Sequence, residues 1–120
     1  PIAALYAGVP GDLLIGDNPN DHFGPGGGTA TVDDLARLRD PGPGVLLGEV
    51  AGTVPGTPDD ATVLVAVNDE IVGVSPLYER AGTPDSFVIL LPADALTTAG
   101  NDIRIAVRTA DGAITERTVS

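Results

Sequence analysis

The chain has 120 residues, no cysteine and a formal net charge of −11, and its six basic residues are all arginine. That length suits one domain with a real hydrophobic core. The missing cysteines exclude disulfides, thiolate metal sites and thiol catalysis, and the acidic balance opposes nucleic acid and anionic membrane surfaces.

Glycine (16 residues) and proline (11) are abundant, yet 42% of the chain is hydrophobic and clusters in short runs. Short strands with Gly/Pro-rich turns account for both facts. No run of 18 apolar residues occurs, so nothing reads as a membrane-spanning helix. No signal peptide is visible. The chain begins at Pro1 and contains no methionine, which reads as a piece of a longer protein.

In chain order, residues 1–44 form a loop-rich segment and 45–120 the strand-rich core of the same domain. Ile2–Ala7 reads as a short strand or helical turn. Leu13-Leu14-Ile15 is a brief apolar run closed by Gly16. GDNPNDHFGPGGG (16–28) is dense in turn formers and reads as a loop. TVDDLARLR (31–39) predicts one short helix with Thr31 as N-cap. Asp33 and Asp34 would open that helix and Arg37 and Arg39 close it, in keeping with the macrodipole. Leu35 and Leu38 share a face, and DPGPG (40–44) stops the run.

VLLGEVAGTV (45–54) predicts the first core strand, with a bulge at Gly48 or Gly52. PGTPDD (55–60) is a turn-rich link. TVLVAVNDEIVGVS (62–75) predicts a hairpin closed by a two-residue turn at Asn68-Asp69. That turn would set Val67 opposite Glu70, Val65 opposite Val72 and Val63 opposite Val74. Both faces of the pair are apolar, so cover on both sides is expected. Residues 75–86 read as a loop, 87–92 as a buried strand and 93–101 as a connection with room for a helical turn. DIRIAVRT (102–109) alternates, with Ile103, Ile105 and Val107 on one face and Arg104 and Arg108 on the other. Asp111-Gly112 predicts a second hairpin, returning through 113–120 as an edge strand bearing Glu116 and Arg117. About six strands with turns every ~8–12 residues predict a small antiparallel, immunoglobulin-like β-sandwich.

Chemistry-bearing groups are sparse. His22 is the single histidine, and Ser75, Ser86 and Ser120 are the serines. None of the serines lies in a nucleophile-elbow pattern, so a hydrolytic triad is not expected. In DNPND (17–21), Asp17 and Asp21 fit the first and fifth positions of a calcium loop. Pro19, His22 and Gly28 fail the third, sixth and twelfth. Asx-turns are the simpler reading there, and a plain turn is simpler for Asp59-Asp60. GPGGG (24–28) lacks the Lys-Ser/Thr of a phosphate loop. Of four aromatics, Tyr6, Phe23, Tyr78 and Phe87, none makes a stacking platform for sugar. No catalytic, cofactor or metal residue is assigned.

VAVNDEIVGVSPLYERAGTPDSFVILLPADALTTAGNDIRIAVR (65–108) resembles a C-terminal module of bacterial, especially actinobacterial, sulfatase-like membrane proteins of the alkaline-phosphatase type. Asn68, Ser75, Tyr78, Phe87, Pro92, Gly100 and Asn101 carry the likeness. GDLLIG (11–16) and GEVAGTV (48–54) are similar to its upstream part, and Asp69 stands where that family usually has glycine. The resemblance implies a non-catalytic extracytoplasmic domain beside a metal-dependent hydrolase or transferase domain in the cell envelope. Its partner would be that catalytic or membrane part of the same chain. The alternative is an independent carbohydrate- or calcium-binding β-sandwich module.

Overall fold

The computed structural model describes residues 11–44 and 47–120. The reading of 2–7, Tyr6 and the start of the 45–54 strand therefore lie outside the described residues. The fold is mainly β: β1 (Thr29–Val32), β2 (Glu49–Thr53), β3 (Thr62–Val67), β4 (Glu70–Pro76), β5 (Tyr78–Arg80), β6 (Thr83–Leu90), β7 (Ile103–Arg108) and β8 (Ile114–Val119), with one helix, α1 (Leu35–Arg39). The strands form one sheet in the order β4-β3-β7-β8-β1-β2-β6-β5. The two strands at its ends, β4 and β5, are separated in sequence only by Leu77. The sheet must therefore curl until its ends adjoin, and the Val88 amide donates to Ser75 Oγ across that gap at 3.3 Å.

The sheet is mixed, not purely antiparallel, because β1 runs parallel to β8. This overturns the expected edge position of the last strand. Its pairing is antiparallel to β7 on one side. On the other, Gly24, Gly28 and Ala30 carbonyls accept from the amides of Glu116, Thr118 and Ser120. The glycine-rich stretch is thus laid along β8 rather than looping free. A Cβ at Gly26 would collide with the Glu116 carbonyl oxygen and come within 2.9 Å of Thr115 Cβ. Only glycine lets the chain approach β8 so closely there.

The 62–76 hairpin closes as its sequence predicts, with Asn68 and Asp69 at φ 49° and 68°. Val67 pairs with Glu70. Beyond Ala66↔Ile71 a bulge shifts the register, so Val65 pairs with Gly73, Leu64 with Val74 and Val63 with Ser75. The expected Val65–Val72 and Val63–Val74 pairs do not form, because one extra residue swaps the faces of everything after it. The slip puts Gly73 and Ser75 opposite Val65 and Val63. Small side chains there are compatible with the close approach of β6 seen at Ser75.

All six β3 residues are buried, as two apolar faces require. Val63, Val65 and Val67 pair with Val107, Ile105 and Ile103, and these pack in the core with Val50, Phe87 and Ile89. Leu64 and Val74 lie on the other face, where Gly11 sits against both. Leu14, Ile15 and Phe23 also pack against the hydrophobic cluster. This strap is pinned by the Gly16 amide donating to Ile71 O (2.8 Å) and the Ile71 amide to Asp17 O (2.9 Å).

Three further expectations are corrected. The helix does not begin at Thr31: Thr31 and Val32 belong to β1 and pair with Thr53 and Gly52. Their β-branched side chains suit a strand, and pairing with neighbours overrides the local capping pattern. Leu35 and Leu38 still face the core, with Leu38 2% exposed. Gly52 forms no bulge, since its register with β1 and β6 is regular. Residues 75–86 are not a loop but carry β5 and the start of β6, reversed at Ala81-Gly82 with φ 50° and 84°.

Candidate functional site

Most polar side chains that sequence singles out are engaged in holding loops. Asn18 caps a short 3₁₀ turn by accepting from the Asn20 amide at 2.9 Å, which is the Asx-type geometry expected of DNPND. His22 Nε2 lies 2.8 Å from Asp17 Oδ2 across the base of that turn. Phe23 lies beneath the Arg104 guanidinium, 5.5 Å from ring centroid to Cζ. Arg104 also grips Glu116 with two bonds of 2.7 and 3.0 Å and donates to Asn20 Oδ1 at 2.7 Å. The hydrogen bond and charge of Glu116 hold the Arg104 guanidinium above its ordinary pKa. Among the described residues, no three His, Asp or Glu side chains group in a way that would hold a metal ion.

The serines are likewise engaged. Ser75, 3% exposed, donates to Pro76 O at 2.7 Å while accepting from Val88. Ser86, fully buried, donates to Thr83 O at 2.9 Å. The Ser120 backbone bonds to Ala30 and Val32. Asp59-Asp60 sits in a turn closed by the Ala61 amide donating to Pro58 O, as expected.

The densest polar construction is at the hairpin tip. Asn101 is 4% exposed. Its Nδ2 donates to Leu38 O, Arg39 O and Thr97 O, and its Oδ1 accepts from Asn68 Nδ2, Thr97 N and Thr97 Oγ1. Asn68 Oδ1 in turn accepts from the Asp102 amide at 2.8 Å. One buried amide thus ties α1, the β3–β4 turn and the 92–101 connection together. That connection has no helical turn. It bends instead through Ala95 N donating to Pro92 O.

Sequence reasoning missed one concave feature. Leu77, Tyr78, Glu79, Pro84, Asp85 and Asp59 line a cleft of about 300 Å³. Tyr78 is 36% exposed there. Asp85 takes a left-handed φ of 55° inside β6, and its carboxylate accepts from the Gly56 amide at 3.2 Å. That bond ties the β2–β3 link to the β5–β6 hairpin. Arg80, next along β5, is bound to Asp33 at 2.6 Å, and this raises its pKa. Nothing local marks the cleft, because Asp59 and the β5–β6 hairpin are joined only by the fold. A second, apolar cleft of about 390 Å³ includes Pro41, Leu47, Leu91, Pro92 and Leu96.

No helix among the described residues is long and apolar enough to cross a membrane. No family model, curated protein or solved structure matches this chain.

Proposed function

We propose that this chain is a non-catalytic, immunoglobulin-like β-sandwich module of a larger extracytoplasmic, sulfatase-like membrane protein of a bacterium. Its partner in this reading is the catalytic or membrane part of the same polypeptide. The observation that carries it is the work done by the residues behind the resemblance. Asn68 forms the hairpin turn, Asn101 ties three elements together, Ser75 bridges the curled sheet and Phe87 is fully buried in the core. Side chains committed to framework contacts suit a domain that packs against, presents or regulates a neighbour. The curl of one eight-stranded sheet until its end strands adjoin, with β3 covered on both faces, supports the immunoglobulin-like description.

The test is the complete reading frame that encodes these residues, followed by sulfate- and phosphate-ester assays on the whole protein and on this domain alone. Membrane segments and a metal-and-nucleophile motif in the frame, with turnover only by the whole protein, are expected. Turnover by the isolated domain, or a frame with nothing else in it, would overturn the proposal.

The partly exposed Tyr78 ring in its cleft favours a second reading, a glycan-binding module. A ligand of the folded state present at 100 times its Kd stabilises by about 2.7 kcal/mol. An oligosaccharide panel should therefore raise Tm by several degrees if this reading holds. An unchanged Tm at saturating doses removes it.

A further inference from the structure

We draw no further inference here: the strongest candidate, the open polar groove of about 590 Å³ where the glycine-rich segment meets the ends of β7 and β8, is lined by three arginines, but Arg104 is taken up by Glu116 and Asn20, Arg117 reaches Thr57, and exposed Arg39 at the end of α1 does not by itself define a ligand.

Discussion

Replacing Gly52 by alanine tests how closely β1 is pressed against β2. A Cβ at Gly52 would overlap the Thr31 carbonyl oxygen and lie 2.9 Å from the Thr31 carbonyl carbon and 3.1 Å from Val32 Cα. All three atoms are backbone, so no rotamer change relieves the clash. Restoring ordinary contact requires β1 to move by on the order of 1 Å, given carbon contacts of ~3.5–4.0 Å. The Asp33 amide donates to Ala51 O at 2.8 Å. A shift of that size takes such a bond past the limit of roughly 3.2 Å for a good N–H···O geometry. One or two weakened bonds at ~1 kcal/mol each, with overpacking at ~1–3 kcal/mol, give a loss of about 2–5 kcal/mol. For a domain of this size the fall in Tm is on the order of 10 °C. Gly48→Ala is the matched control, because a Cβ there meets nothing within 4 Å, and its Tm should stay level or rise slightly. Thermal unfolding followed by circular dichroism reads both. If G52A unfolded within ~2 °C of the parent, the tight β1–β2 contact would be refuted.

Asn101→Ala strands the buried Leu38 carbonyl and the part-buried Thr97 amide, and should cost about 2–4 kcal/mol. Urea unfolding at constant m-value measures it, and a loss below ~1 kcal/mol would show that water replaces the amide. Asp69→Gly removes a non-glycine residue from a left-handed position that the turn demands. It should stabilise the hairpin by roughly 0.5 kcal/mol once unfolded-state entropy is counted. Asp111 is held below the ordinary aspartate range, first by the Thr109 hydroxyl and then by the Ala113 amide. Because its folded-state pKa is depressed, its contribution is present above the unfolded-state pKa and vanishes as pH falls through the folded one. An NMR titration of the Asp111 carboxyl should therefore show a low midpoint that moves up in Thr109→Val.

The parts of the fold legible in sequence are those set by neighbours along the chain. Asn68-Asp69 reads as a turn because few other residue pairs accept two positive φ values. The uninterrupted apolar run of β3 reads as covered on both faces. Asp111-Gly112 marks a reversal, although its geometry is a longer one. Gly112 N donates to Thr109 O and Thr109 N to Ala113 O, with Gly112 alone of the Asp-Gly pair left-handed. That is a type I turn followed by a bulge rather than the two-residue form. Ala81-Gly82 hides the two-residue form, with both φ positive between paired Arg80 and Thr83, since alanine at φ 50° is not a residue from which positive φ can be read.

What stays hidden depends on partners far along the chain. The glycines of 24–28 read as a loop in isolation, and are laid along β8 only because Ile114–Val119 is beside them. Thr31 and Val32 fit a helix start and a strand equally well until β2 and the chain end supply the hydrogen bonds. The bulge in β4 has the same origin. Gly73 and Ser75 show no local signal, yet they face inward where the sheet must bend back to meet β6. A curled sheet whose two ends are joined by one residue, Leu77, leaves little freedom in that register. The candidate site follows the same logic. Asp59 and Tyr78 each read as an ordinary loop residue, and only the tie between the β2–β3 link and the β5–β6 hairpin brings both to one cleft.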